Sequence, residues 1–210
     1  MSQASQDSPL LLAAFAGAAG YVFSVWLGDL RHGRTGPGSF PGATYCSKAA
    51  VLAAITGALV LLGLETGGEY ALGVSAQQSD ITALYLVAMV GAAFGEELIF
   101  RGYLVVTHHG RAMLLAGILG FSALFALLHP FLWDWKSPAT GQPAQLVFDF
   151  SLKAWWSTAM VALFSLWLYA MRFSKLNPSR SLIPCFSAHL AKNLGVFAIK
   201  LIQGHVTSWW

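Results

Sequence analysis

The sequence predicts an all-α, polytopic membrane protein, a bundle of about six transmembrane helices. Of its 210 residues, 56% are hydrophobic and only 10% are charged, whereas soluble domains carry about 25% charged residues. Several apolar runs approach the roughly 20 residues needed to cross a bilayer, and most of the charges lie between these runs. This composition excludes an ordinary soluble domain. The expected surroundings are a lipid bilayer, and no nucleic-acid partner is expected.

Six spans follow from the apolar runs. They are predicted at residues 9–28, 49–64, 81–106, 113–129, 156–171 and 183–202. The first run is preceded by an acid and by no base, and no clear small-residue cleavage pattern follows it, so we interpret it as a retained helix and not a signal peptide. We expect residues 1–80 to hold two N-terminal helices with their loops, and residues 81–210 to form the functional core of a single membrane domain.

The charges in the connections predict an orientation. Residues 29–48 carry three bases and one acid, residues 65–80 carry three acids and no base, and residues 172–181 carry three bases. Because cytoplasmic loops are enriched in Lys and Arg, the first, third and fifth connections are expected to be cytoplasmic. Both termini would then lie on the opposite side.

Few ionisable residues remain inside the predicted spans. They are Glu96, Glu97, Arg101, His129, His189, Lys192 and Lys200. A charge at the centre of a spanning helix costs about 2.5–3.5 kcal/mol on insertion scales, so such residues usually face a partner or a watery cavity. We interpret Lys192 as a lysine at a helix flank whose long side chain reaches toward the membrane surface. The other residues are candidates for a site within the bundle.

The third and fourth helices bring an acid and an imidazole to a similar depth. If the turn lies at residues 108–112, Glu96 precedes its midpoint by about as many residues as His129 follows it. At 1.5 Å per residue, both side chains are expected about 20 Å from the turn. A glutamate and a histidine at one depth could together activate a water molecule.

The sixth helix adds hydrogen-bond donors. His189 and Asn193 are spaced i to i+4, which places them on one face of the helix. An imidazole and an amide could stabilise the oxyanion that forms when a carbonyl is attacked. Arg101 follows Glu97 by the same spacing, so it is expected to hold Glu97 ionised and to leave Glu96 free for proton transfer.

These motifs resemble those of the CPBP family, also called the Abi or type II CAAX prenyl protease family, which are glutamate-type intramembrane proteases. The first motif, two glutamates and an arginine, corresponds to Glu96, Glu97 and Arg101 in EELIFR. The second corresponds to Phe125 and His129 in FALLH, and the third to His189 and Asn193. The resemblance covers about residues 81–202. It implies a CAAX-like intramembrane peptidase in which Glu96 and His129 activate water while His189 and Asn193 form the oxyanion hole. Glu97, Arg101 and Phe125 would have supporting roles.

The expected substrate is a membrane-associated protein or peptide, either a lipidated tail or a C-terminal sorting tail, and the expected location is the inner membrane of a prokaryotic cell. No cofactor is expected. One alternative is a zinc protease in which Glu96, His129 and His189 hold the metal, although Cys46 and Cys185 form no close-spaced metal motif. Another alternative is a non-enzymatic scaffold, or a transport protein in which the same groups relay protons.

Overall fold

The computed structural model describes residues 9–107, 109–136 and 143–209. Within these ranges the elements are α1 (Pro9–His32), α2 (Lys48–Ala71), β1 (Ile81–Thr82), α3 (Tyr85–Glu97), α4 (Gly110–Leu128), β2 (Trp133–Lys136), β3 (Gln145–Phe148), α5 (Leu152–Arg172), α6 (Ile183–Gln203) and β4 (Val206–Ser208). A π-helical segment, Leu98–Tyr103, continues α3 without a break. The predicted all-α bundle of six helices is confirmed. The short strands were not predicted; β1 pairs with β4 in parallel, and β2 with β3 in an antiparallel hairpin.

The helices have the dimensions of a membrane bundle. Five of them, α1, α2, α4, α5 and α6, are long and apolar enough to cross a membrane. The sixth, α3, reaches a comparable length only together with its π-helical continuation. Large apolar side chains such as Leu52 and Leu119 are exposed on the outside of the bundle, as expected for surfaces that face acyl chains. The chain is an integral membrane protein.

The second helix continues to Ala71, past its predicted end at residue 64. Glu65 and Glu69 were predicted to lie in the connection that follows, because the apolar run ends before them. In the structure both lie inside α2 and form ion pairs, Glu65 with Lys192 and Glu69 with Lys153. The helix therefore continues because partners from other helices neutralise its acids.

The third span is shorter than predicted and is irregular. Residues 81–82, predicted as helix, form β1, and residues 104–106 lie beyond the helical part. In the π-helical segment the Leu104 N–H donates to the Ile99 carbonyl, five residues earlier, at 2.8 Å. Such segments often occur at functional sites, and this one directly follows the two glutamates.

Helix α6 lies at the centre of the bundle, where it packs against α2, α3 and α5. The contact with α2 is close because small residues, Ala54 and Ala58 on α2 and Ala188 on α6, are fully buried there. A second cluster joins α1 to α3 through Trp26 and Phe94. The centre of the bundle thus receives side chains from several helices.

Two tryptophans of α5 join it to α2 in the same manner. The Trp167 indole N–H donates to the Ala54 carbonyl at 3.0 Å, and the Trp156 indole donates to the Glu65 carbonyl at 3.1 Å. Each ring covers a glycine three residues further along α2, Gly57 or Gly68, where an added Cβ would lie 2.1 Å from the ring. The two contacts are three helical turns apart on both helices, and together they fix the position of α5 along the axis of α2.

Candidate active site

The two adjacent glutamates at the end of α3 have different surroundings. The Glu97 side chain is fully buried, whereas the Glu96 side chain is 32% exposed. Consecutive helical residues point about 100° apart, so one carboxylate can enter the core while its neighbour faces an opening. Of the two, Glu96 is therefore the one that water or a substrate can reach.

Glu97 binds Arg101, as the i to i+4 spacing predicts. The Arg101 Nη1 donates to Glu97 Oε1 at 3.1 Å, and both side chains are fully buried. The other guanidinium nitrogen, Nη2, donates to the carbonyl and the hydroxyl of Ser165 on α5. The guanidinium also lies over the Phe125 ring, 4.6 Å from its centroid. These contacts hold a buried charge in place and connect α3 with α4 and α5.

The irregular backbone after Glu97 is stabilised by α5. The Tyr169 hydroxyl donates to the Phe100 carbonyl at 2.7 Å and lies 3.3 Å from the Leu104 carbonyl. Arg172 Nε donates to the Arg101 carbonyl at 3.1 Å. In a π-helical segment some carbonyl groups lack the backbone hydrogen bond that they would accept in a regular α-helix. Buried carbonyl groups of this kind need other donors. Two side chains of α5 therefore support the backbone that carries the glutamates.

His189 lies between the two glutamates. Its Nδ1 is 2.8 Å from Glu97 Oε1, and its Nε2 is 3.8 Å from Glu96 Oε2. An ionised carboxylate can only accept a hydrogen bond, so Nδ1 carries a proton and Nε2 points toward the half-exposed acid. The ring is held by edge contacts with Phe164 at 5.3 Å and Phe125 at 6.2 Å between ring centroids.

His129 caps the C-terminal end of α4. Its Nδ1 lies 2.8 Å from the Phe125 carbonyl, and a carbonyl can only accept, so the proton sits on Nδ1 and Nε2 keeps a lone pair. The Phe125 ring contacts both imidazoles, since its centroid is 4.8 Å from that of His129. Glu96 and His189 are within electrostatic range of His129. The structure therefore brings the three predicted groups into one region.

Asn193 lies one turn after His189 on α6. Its amide nitrogen donates to the Met89 carbonyl on α3 at 2.9 Å. A side-chain amide has two N–H groups, so this bond joins α6 to α3 and leaves one donor. The predicted i to i+4 relationship places Asn193 on the side of α6 that faces α3, where the glutamates are.

Two sequence-based interpretations are wrong. Lys192 does not reach toward the membrane surface: it is 6% exposed, and its Nζ lies 2.8 Å from Glu65 Oε2 on α2. The helices α3 and α4 also do not form the symmetric hairpin on which the depth argument depended. Helix α4 begins at Gly110, and a non-helical connection follows Tyr103, so the residue counts on the two sides of the turn differ. His129 still comes within electrostatic range of Glu96.

Sequence reasoning missed the supporting side chains of α4 and α5. Ser165 binds Arg101 and donates to the Ser122 hydroxyl at 3.0 Å. Tyr169 and Arg172 bind the π-helical backbone. The sequence indicated the two serines only weakly, because serine hydroxyls are common in apolar helices. Arg172 was assigned to a loop because α5 was predicted to end one residue earlier.

The described part of the chain, residues 9–107, 109–136 and 143–209, contains no group of three His, Cys, Asp or Glu side chains arranged to hold a metal ion. The Nδ1 atoms of His129 and His189 are directed at a backbone carbonyl and at Glu97.

The bundle is that of a polytopic membrane protein, and a cluster of glutamate and histidine side chains lies inside it. A family model for Rce1-like type II CAAX prenyl endopeptidases matches residues 78–195, more than half of the chain. The chain belongs to this family and is a membrane peptidase of the CAAX type. The family implies a protein substrate in a membrane environment. The search of curated proteins and the search of solved structures found no match.

Proposed function

We propose that the chain cleaves a peptide bond near the membrane in a protein tail, using a water molecule activated by Glu96 and His129. The observation that supports this most directly is the contrast between the two glutamates. The Glu97 side chain is fully buried and its Oε1 is bound by Arg101 and His189, whereas the Glu96 side chain is 32% exposed. Glu96 is therefore the carboxylate of the two that water can reach for proton exchange.

In the first step, Glu96 accepts a proton from water as the water oxygen attacks the scissile carbonyl carbon. His129 orients this water through its Nε2 lone pair, because its Nδ1 proton is already donated to the Phe125 carbonyl. The attack forms a C–O bond and a tetrahedral oxyanion. In the second step the C–N bond breaks, and Glu96 returns its proton to the leaving amine.

His189 and Asn193 stabilise the oxyanion. Asn193 offers the N–H that does not bind Met89. His189 donates from Nε2, which requires a ring with both nitrogens protonated. Such a ring is flanked by opposite charge, since Glu97 lies 2.8 Å from Nδ1 and Glu96 lies 3.8 Å from Nε2. Preorganised donors of this kind are each worth about 10²–10³ in rate.

The proposed substrate is a prenylated C-terminal tail of the CAAX type, a cysteine followed by two aliphatic residues and a terminal residue. The family supports this class because its members are described as prenyl endopeptidases. The apolar outer surface of the bundle would let a lipid-modified tail approach within the bilayer. We also propose a location in the inner membrane of a prokaryotic cell, because the connections within the described residues add only two short strand pairs to the bundle.

The decisive experiment uses purified protein in liposomes with a farnesylated CAAX-type peptide, and mass spectrometry to locate the cut. Cleavage after the modified cysteine by the unaltered protein, together with its loss in Glu96→Gln, is the expected result. An unprenylated peptide and a sorting-type tail serve as comparison substrates. Full turnover by Glu96→Gln would overturn the assignment of the residue, and cleavage of the sorting tail alone would overturn the substrate class.

A further inference from the structure

A second charged pair lies beside the site. Lys192 is between His189 and Asn193 in the sequence of α6, and its ammonium is 2.8 Å from Glu65 on α2. Only 8% of the Lys192 side chain and 14% of the Glu65 side chain are exposed. Glu65 precedes residues 78–195, which match the family, and the mechanism proposed above uses neither residue.

Stability alone does not explain this pair. Removing two charges from water costs about as much as their attraction returns, so an apolar pair of similar size is often equally stable or more so. The contact between α2 and α6 already has buried alanines and a close approach at Gly195, where an added Cβ would lie 2.4 Å from Leu62. Ionisable groups inside a membrane bundle commonly have a functional role.

The surroundings of Lys192 connect its charge with the site. Its Nζ lies over the Phe164 ring, 4.9 Å from the centroid, and the same ring contacts His189 at 5.3 Å. Lys192 is also within electrostatic range of His129. By contrast, the charge of Arg101 is used to bind Glu97 on the buried side of the cluster. Lys192 is thus a cation on the same helix as the proposed oxyanion donors.

We infer that the ammonium of Lys192, held in place by Glu65, supplies positive potential that stabilises the oxyanion at His189 and Asn193. Lys192 acts at a distance and Glu65 positions it, so α2 contributes to the reaction although it lies outside the matched segment. The inference rests on the proposed function. An electrostatic role of Lys192 differs from a structural one in a single respect. Turnover then requires a positive charge on α6, whereas a structural role requires only that α2 and α6 form an ion pair.

A charge swap tests this difference. Glu65→Lys combined with Lys192→Glu keeps an ion pair between α2 and α6 but places a negative charge on α6. We expect this variant to remain folded, with a kcat at least tenfold lower on the farnesylated peptide and KM changed much less. Lys192→Arg should retain most of kcat. The comparison variant is Glu69→Lys with Lys153→Glu, a second ion pair of α2. Because Glu69 also binds Gln78, its kcat is measured per folded protein and should be retained.

The outcomes separate the inference from the proposed function. Cleavage by the unaltered protein and its loss in Glu96→Gln test the function first; if either fails, the inference fails with it. If both hold and the swapped pair retains full kcat, Lys192 is structural and the inference is wrong. Should the swap fail to fold, the apolar variant Glu65→Leu with Lys192→Met decides: folded protein with reduced kcat supports the inference, whereas unfolded protein or full kcat overturns it.

Discussion

His189 binds Glu97 through Nδ1 at 2.8 Å while its Nε2 points at Glu96, 3.8 Å away. A buried acid thus fixes the orientation of an imidazole toward an accessible acid. In many metal and catalytic sites a carboxylate that accepts one ring N–H of a histidine orients the imidazole in the same way. The two adjacent glutamates therefore have different roles, and substitution of each is expected to have a different effect.

The same substitution should lower stability at Glu97 and abolish cleavage at Glu96. Glu97→Gln leaves the fully buried Arg101 without its counter-ion, so the free energy of unfolding should fall by about 3–5 kcal/mol. Glu96→Gln removes a half-exposed carboxylate and should leave stability nearly unchanged while abolishing cleavage. Thermal unfolding in detergent, measured together with peptide cleavage, would check both. Equal destabilisation by the two variants would contradict the assignment.

Loss of the other proposed catalytic groups should reduce turnover to different degrees. His129→Ala and His189→Ala should abolish cleavage without loss of membrane insertion, because each removes a group that the proposed mechanism places against the water or the oxyanion. Asn193→Ala should lower kcat by about 10²–10³, the usual effect of one oxyanion donor. Cleavage rates of the variants, normalised to correctly inserted protein, provide the measurement. An Asn193→Ala variant with unchanged kcat would show that its amide serves only to bind Met89.

The support of the π-helical segment by Tyr169 can be tested by removing one oxygen atom. Tyr169→Phe leaves the buried Phe100 carbonyl without its hydroxyl donor, and we expect a loss of about 1–3 kcal/mol in unfolding free energy. Cleavage should also fall, because the segment positions Glu96. Tyr103→Phe is the matched control, since Tyr103 belongs to the same segment but is 60% exposed. Similar effects of the two changes would argue against a specific role for Tyr169.

Activation of water by Glu96 and His129 alone predicts activity that does not depend on a metal ion. Cleavage should persist after prolonged treatment with a strong zinc chelator, and elemental measurement of the active protein should find less than one equivalent of zinc. Adding zinc back should not raise kcat. Loss of activity on chelation, with recovery specific to zinc, would instead favour the metalloprotease in which Glu96, His129 and His189 are ligands.

The predicted orientation can be tested with a native cysteine. Cys46 lies just before α2 in the first connection and is partly exposed, whereas Cys185 is fully buried in α6. A membrane-impermeant maleimide should therefore label Cys46 in inside-out vesicles and not in intact cells, and Cys46→Ala should abolish the label. Burial raises the pKa of the Cys46 thiol. Because the thiolate reacts, labelling should accelerate with pH over a higher pH range than for an ordinary cysteine. Labelling from outside intact cells would reverse the orientation.

The sequence was informative wherever neighbours within one helix decide the result. The apolar runs predicted all six helices, and the four-residue spacing predicted both the pairing of Glu97 with Arg101 and the shared face of His189 and Asn193. These relationships depend on helical periodicity, which any segment of the chain carries in its own order of residues.

The contacts between helices could not be obtained in this way. Spacing did not indicate that His189 would bind Glu97, that Lys192 would find Glu65 on α2, or that Tyr169 would bind the backbone after Glu97. Each of these depends on how far a helix is rotated and shifted against its neighbours, and that is set by packing at many positions, such as the tryptophans on Gly57 and Gly68. The sequence therefore shows which acidic and basic residues lie in each helix, whereas the packing of the bundle decides which residues they bind.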